Sequence, residues 1–234
     1  MKTRFNLYEE THYHRSVHGE SEDKSWSHLF ELISFNRYLI LRKYFHPNSS
    51  ILEIGSGPGW NLKYFNNLAI SAVEPSTLYN AFYACQGIKL YKSLENVSGT
   101  YSQILLSHVL EHVENPLQFL IETKSLLSVS NSPCEGQLIM LLPNEASGIF
   151  RRQSRKQDQH LYCFNEVTIS NLLEKAGFKA HSVTLIPYGY ELFIAKIFFS
   201  RFQLCTLSKV LYIVLLRSLQ LFLMKTQYLV IAYR

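Results

Sequence analysis

The chain has 234 residues, of which 47% are hydrophobic and 18% are charged, so it can bury a core and is too apolar for long disorder. Its first residues contain acids and histidines where a secretion signal requires an apolar block, and the four cysteines match neither a zinc site nor a disulfide framework. We therefore expect a cytoplasmic protein. The net charge of +5 comes from residues 188–234, because acids and bases balance in the rest of the chain.

The predicted elements begin with an amphipathic helix at about residues 26–45, in which apolar residues recur every three or four positions. Apolar runs then predict strands at residues 49–55, 71–75, 88–91, 103–108 and 136–143, with helices between most of them. A helix at residues 165–177 ends in glycine and leads to strands at 179–187 and 226–234. This alternation predicts a mainly parallel sheet covered on both faces.

A glycine-rich turn, E-I-G-S-G-P-G at residues 53–59, follows the first strand. Such glycines let a ligand approach the backbone, and a helix predicted from about Trp60 would add free N–H groups. The dinucleotide-binding pattern G-x-G-x-x-G is not matched, because Trp60 occupies the position where the pattern requires its third glycine. Glu53 precedes the turn, and Glu74 ends the second strand, where a carboxylate can accept ribose hydroxyls. The two acids favour an adenosine with a cationic tail; a turn without a ligand is the alternative.

Five short motifs, in this order along the chain, resemble those of class I S-adenosylmethionine-dependent methyltransferases of the small-molecule type. They are E-I-G-S-G-P-G, A-V-E-P at 72–75, H-V-L-E-H-V-E-N-P at 108–116, D-Q-H-L-Y-C-F at 158–164 and L-L-E-K-A-G-F at 172–178. The resemblance covers roughly residues 50 to 187. It implies an α/β, Rossmann-like fold with a seven-stranded, mostly parallel sheet, helices on both faces and an antiparallel last strand. Tyr101-Ser102-Gln103 departs from the family, since many members have F-D there.

The resemblance also implies one methyltransferase domain over residues 1–234. We expect an N-terminal helical or lid segment at 1–48, a cofactor-binding core at 49–187, a helical insertion at 188–225 and the last strand at 226–234.

The resemblance assigns S-adenosylmethionine as the cofactor and places its parts along the strand ends. The methionine end would lie against Glu53 and the glycines, the ribose at Glu74 and Pro75, the adenine at Ser93 and Leu94, and the sulfonium beside His108. The implied cofactor-binding residues are Glu53, Gly55, Gly57, Gly59, Glu74, Pro75, Ser93, Leu94 and His108.

Histidines after the fourth strand are the candidates for chemistry. His108 and His160 could each take a proton from an acceptor, or could only shape the pocket by hydrogen bonding. His108, Glu111 and His112 form the H-x-x-E-H word of some zinc proteases, but Asn115-Pro116 follows too soon for a long helix. Some quinone O-methyltransferases have E-x-x-E-H here and bind magnesium, a cation that His108 suits poorly. We favour simple packing of Glu111 and His112, with no metal.

Two basic stretches bear on the partners. The run RRQSRK at 151–156 could steer an anionic acceptor, but a solvated loop is favoured, and nucleic acid is not expected. Residues 192–225 are apolar but are interrupted by Lys209 and Arg217 before reaching the length of a membrane span. They fit a helical cap or homodimer face first, and peripheral contact with a membrane surface second.

These patterns predict methyl transfer from S-adenosylmethionine to a small-molecule acceptor, either a sugar or a lipid-linked intermediate of the cell envelope. The alternatives are an RNA or protein methyltransferase and a non-catalytic adaptor that retains the fold.

Overall fold

A computed structural model describes residues 24–129, 136–145, 160–189, 191, 193–195, 206–223 and 226–234. The N-terminal part of the predicted lid and the basic run at 151–156 lie outside these residues. The helices are α1 (Lys24–Leu41), α2 (Asn80–Cys85), α3 (Pro116–Ser125), α4 (Glu166–Lys175) and α5 (Thr206–Leu223). The strands are β1 (Ser50–Ile54), β2 (Ala69–Val73), β3 (Lys89–Tyr91), β4 (Gln103–Ser107), β5 (Gln137–Pro143), β6 (Ala180–Pro187) and β7 (Thr226–Tyr233).

The seven strands form one sheet in the order β3-β2-β1-β4-β5-β7-β6, and β7 is antiparallel to both of its neighbours. The predicted sheet, mostly parallel with an antiparallel last strand, is confirmed. The strand order reverses between β1 and β4, which pair in parallel. In open α/β sheets, ligands bind outside the carboxyl ends of the strands at such a point.

Alternating side chains divide the core between the two faces of the sheet. In β4, Ile104 and Leu106 pack in the cluster that includes Leu120 of α3, whereas Leu105 points to the cluster that includes Leu41 of α1. All five side chains are fully buried. Apolar residues at every position of a strand are what a sheet covered by helices on both faces requires.

The helix predicted after the glycine turn is wrong. Residues 57–64 form consecutive turns and no α-helix links β1 to β2. Gly57 and Gly59 both adopt positive φ, which a right-handed helix cannot include, and the side chain of Asn61 donates a hydrogen bond to Glu53. The loop therefore has no helix N-terminus to contribute N–H groups to a ligand.

Helix α5 packs beside α1 and also contacts β6. A homodimer face and contact with a membrane surface stay predictions for this segment. Tyr212 and Leu216 are fully buried in one cluster with Leu32 of α1. Lys209 donates a hydrogen bond of 3.1 Å to Glu31, so this cation is directed toward α1. Among the helices of the described ranges, none has the length and apolar character needed to span a membrane.

Candidate functional site

The glycine turn lies at the carboxyl end of β1, and its three glycines face different surroundings. A Cβ on Gly55 would lie 2.5 Å from Cγ2 of Val109, and one on Gly59 would lie 2.8 Å from Cε1 of Phe82. A Cβ on Gly57 would meet no atom within 4 Å. Gly55 and Gly59 therefore allow close packing within the protein, whereas Gly57 leaves a bare stretch of backbone open to a ligand.

Glu74 holds the glycine turn in place. Its buried carboxylate accepts the N–H of Gly57 at 2.7 Å and the N–H of Ser76 at 2.9 Å. The hydroxyl of Tyr83 lies 2.8 Å from the carbonyl oxygen of Gly57, to which it can donate, and 2.7 Å from the hydroxyl of Ser56. Because a carboxylate offers about four acceptor positions, Glu74 can hold the turn and still accept hydroxyls of a ligand.

Glu53 is a buried carboxyl group whose ionised form is disfavoured by its surroundings. Its pKa is raised from 4.5 to about 8, chiefly by burial and also by the negative charge of Glu74, and this rise exceeds the lowering by a 2.6 Å hydrogen bond from Asn61 and by the charge of Arg37. Both carboxyl groups are within electrostatic reach of each other at the edge where Gly57 is open. A cationic group placed there would favour the ionised form of Glu53 and pair with it, so the donors and charges fit a ligand with a positive tail.

Substitution of Glu53 by glutamine should stabilise the ligand-free protein at high pH. The folded state holds this proton up to about pH 8, whereas the unfolded state loses it near pH 4.5, so the group makes the free energy of unfolding fall as pH rises through that window. We expect Glu53→Gln to raise that free energy at pH 8 by as much as about 4 kcal/mol and to change it little at pH 4.5. Urea titrations at the two pH values measure the difference.

The exposed acid Glu95 provides the matched control for this experiment, and Glu95→Gln should leave the pH profile unchanged. Parallel profiles for the wild type and Glu53→Gln would show that Glu53 is ionised in the folded protein.

The end of β3 reaches the same edge of the sheet. Lys92 donates to the carbonyl oxygen of Ser76 at 2.9 Å and to Oδ1 of Asn80 at 2.6 Å, which ties this strand end to the segment after β2. Ser93 donates to Oδ1 of Asn96, and Leu94 begins a short 3-10 turn. Ser93 and Leu94 thus stand at the edge where the resemblance expects them; their contact with an adenine stays a prediction.

His108 follows β4 with a φ of +56°, a left-handed conformation that is unfavourable for a histidine. Its Nε2 lies 3.0 Å from Oε1 of Gln227, and its Nδ1 lies 3.4 Å from Oε1 of Glu111. Its ring stacks on Tyr188 at 4.9 Å between centroids. Residues in strained conformations held by several partners cluster at functional sites. The role of His108 in such a site stays a prediction.

His160 lies close to the turn that follows His108. The N–H groups of Leu161 and Tyr162 both donate to the carbonyl oxygen of Glu111, which fastens the two segments together. The rings of His160 and His112 are 4.8 Å apart and nearly perpendicular. The structure therefore brings the predicted residues His108 and His160 into one cluster through Glu111 and His112, although the two rings make no direct contact among the interactions described.

The last three residues of the H-x-x-E-H motif, Leu110–His112, form a 3-10 turn and are not part of a long helix. The next helix, α3, begins at Pro116 with the side chain of Asn115 accepting the N–H of Gln118. This geometry agrees with the sequence-based rejection of a zinc-protease helix, in which both histidines share one helical face.

Comparison with known proteins gives the family. Residues 25–183, more than half of the chain, match the family model described as "Methyltransferase domain". No curated protein sequence matches the chain.

Solved structures share the fold at low sequence identity. One is 1,6-didemethyltoxoflavin-N1-methyltransferase of Burkholderia thailandensis with bound 1,6-didemethyltoxoflavin and S-adenosylhomocysteine (TM-score 0.59, 14% identity, 99% of this chain and 86% of that chain). Others are SAM-dependent methyltransferases of Thermotoga maritima (0.57, 21%, 75% and 84%) and Archaeoglobus fulgidus (0.55, 19%, 88% and 94%). The chain belongs to the methyltransferase-domain family, and the prediction of a class I S-adenosylmethionine-dependent methyltransferase is confirmed.

Proposed function

We propose that the protein transfers the methyl group of S-adenosylmethionine to a small-molecule acceptor at the carboxyl edge of β1, β2 and β4. The observation that supports this most is the open backbone of Gly57 between two buried carboxyl groups, Glu53 and Glu74. The cofactor supplies an activated methyl group on a positively charged sulfur. The chain has to bind that cation, orient it and exclude water.

The proposed contacts divide the cofactor along the strand ends. Glu53 and the backbone of Gly55, Gly57 and Gly59 face the cationic methionine end. Glu74 and Pro75 face the ribose, with two acceptor positions of Glu74 already used by N–H groups of the turn. Ser93 and Leu94 face the adenine.

His108 and His160 are the proposed residues on the acceptor side. Both ring nitrogens of His108 already face oxygen atoms, those of Gln227 and Glu111. For His108 to take a proton from an acceptor, the acceptor must replace Gln227 at Nε2. Otherwise His108 positions the substrate, and in-line alignment of nucleophile, carbon and sulfur supplies most of the rate.

The outer face of α5 supports a lipid-linked acceptor more than a free sugar. Lys209 and Arg217 bond to groups of α1, whereas the opposite face is exposed and has no charged residue among its apolar side chains. Its exposed residues are Leu207, Val210, Leu211, Val214, Leu215, Leu221 and Phe222. Such a patch fits the surface of a membrane, which would give peripheral access to a lipid-linked substrate, or the same face of a second copy.

Methyl transfer with radiolabelled S-adenosylmethionine tests the proposal. The purified protein is incubated with a polar metabolite extract and, separately, with a lipid extract. We expect label in a small product, with an equal amount of S-adenosylhomocysteine, and the lipid extract as the better source. Label lost on treatment with ribonuclease or protease would favour a macromolecular acceptor. Binding of S-adenosylmethionine without methyl transfer to any fraction would favour the alternative of a non-catalytic adaptor.

A further inference from the structure

We propose that Glu111, His112 and His160 form a binding site for one divalent transition-metal ion of the Zn²⁺ type. One potential ligand atom from each residue lies within 4.8 Å of the others. Two of the residues come from the 3-10 turn after β4, and the third comes from the segment that precedes α4. The N–H groups of Leu161 and Tyr162 bond to the carbonyl oxygen of Glu111 at 2.8 and 3.3 Å and hold the two segments in register.

Glu111 is the residue that most strongly favours a cation at this position. Its side chain is completely buried, and neither carboxylate oxygen has a hydrogen-bond partner among the described residues. Among the described residues, Nδ1 of His108 lies 3.4 Å from Oε1 of Glu111. A buried carboxylate is normally paired, hydrogen-bonded or coordinated to a metal. A metal ion between Glu111 and the two imidazoles would meet that need.

The residues around the cluster are arranged as supporting partners of metal ligands. Nδ1 of His160 pairs with Oε1 of Glu145, which leaves Nε2 for coordination. A carboxylate behind a ligating histidine fixes the ring and raises its basicity. His108 could orient Glu111 in a similar way, since its Nδ1 lies 3.4 Å from Oε1 of that carboxylate. Two of the three proposed ligands, His160 and Glu111, thus each have a partner that orients them.

The ligand types select the metal. Two imidazole nitrogens and one carboxylate oxygen suit Zn²⁺, Co²⁺ or Fe²⁺, whereas Mg²⁺ prefers oxygen ligands alone. A tetrahedral ion about 2.0–2.1 Å from each ligand requires ligand atoms about 3.4 Å apart, so the side chains have to close by roughly 1 Å. Three protein ligands leave a fourth position open, as in catalytic zinc sites. That position would take water or an oxygen of the methyl acceptor.

Titration of the metal-free protein with Co²⁺ tests the site, with Zn²⁺ as competitor. The N-terminal histidines His12, His14 and His18 are first replaced by glutamine, so that they cannot contribute. We expect one Co²⁺ per chain, with the visible absorption of a tetrahedral ion, and displacement by one equivalent of Zn²⁺ but not by Mg²⁺. The readout does not involve S-adenosylmethionine, so its failure is distinct from failure of the proposed function.

Three variants in this background locate the ion. His112→Ala and His160→Ala should lose Co²⁺ binding, and Glu145→Gln should weaken it by about 10- to 100-fold, because it removes only the supporting partner. His181→Ala, on β6, is the matched control and should bind normally. Thermal unfolding in the absence of metal shows whether each variant is folded.

Three results would overturn the proposal. The first is that no Co²⁺ binds, and the second is that a folded His160→Ala variant binds Co²⁺ with unchanged affinity. The third is an intense charge-transfer band, which would show that a cysteine thiolate is a ligand. Cys163 is the nearest candidate, because its Sγ donates a hydrogen bond to Glu145.

Discussion

Replacement of Glu74 by alanine is expected to reduce affinity for S-adenosylmethionine by roughly 100-fold and to destabilise the protein by about 3 kcal/mol. The affinity falls because two charge-assisted hydrogen bonds to the ribose are lost, at about 1.5 kcal/mol each. The stability falls because the N–H groups of Gly57 and Ser76 lose their buried acceptor. The effect on affinity follows from the ribose assignment of Glu74, and the structure adds the effect on stability. Calorimetric titration and urea unfolding measure them separately.

The exposed residue Glu95 provides the control variant, and Glu95→Ala should change neither the affinity for S-adenosylmethionine nor the free energy of unfolding. Unchanged cofactor affinity in a folded Glu74→Ala protein would remove the ribose assignment, and unchanged stability would show that the turn is held without this carboxylate.

The alanine variant of Gly57 is expected to lose most cofactor binding while remaining folded. The added methyl group meets no protein atom within 4 Å, so it projects into the surface proposed for the methionine end. The positive φ of +49° costs about 1–2 kcal/mol of stability in any non-glycine residue. We expect affinity for S-adenosylmethionine to fall by at least about 10-fold, as measured by calorimetry on protein shown to be folded by circular dichroism.

Gly99 separates backbone strain from steric exclusion. It also has a positive φ, +84°, and open space around its Cβ position, but it precedes β4 at the opposite edge of the sheet. Gly99→Ala should therefore lose similar stability and keep normal affinity. Equal affinities for Gly57→Ala and the wild type would mean that no ligand lies against this backbone.

The sheet could be predicted because its signals are local. Each of the seven strands is an apolar run, and the observed strand ends lie within two residues of the predicted ones. Helix α4 was equally predictable, since Asn165 and Thr168 form a capping box and Gly177 adopts the positive φ of a helix end. The acids Glu53 and Glu74 could be assigned to one edge because parallel strands end there together.

Other features depend on contacts between distant residues and gave no local signal. The bond from Tyr83 to the glycine turn joins α2 to the loop after β1, and no spacing in the sequence indicates it. Likewise, His112 and His160 are brought together only by the fold, so the expectation of no metal site was made without His160. The helix expected from about Trp60 was wrong for a related reason: the positive φ of Gly57 and Gly59 and the hydrogen bond from Asn61 to Glu53 are set by the folded loop and have no signal in the sequence.

Direct titration of the wild-type protein with S-adenosylmethionine tests the central claim, that a nucleoside with a cationic tail binds between Glu53 and Glu74. We expect saturable one-to-one binding by calorimetry, with NAD unable to compete, because the buried carboxylate of Glu74 repels a pyrophosphate and the carboxyl group of Glu53 gives it no positive partner. The absence of binding by S-adenosylmethionine, or its displacement by NAD, would contradict the account.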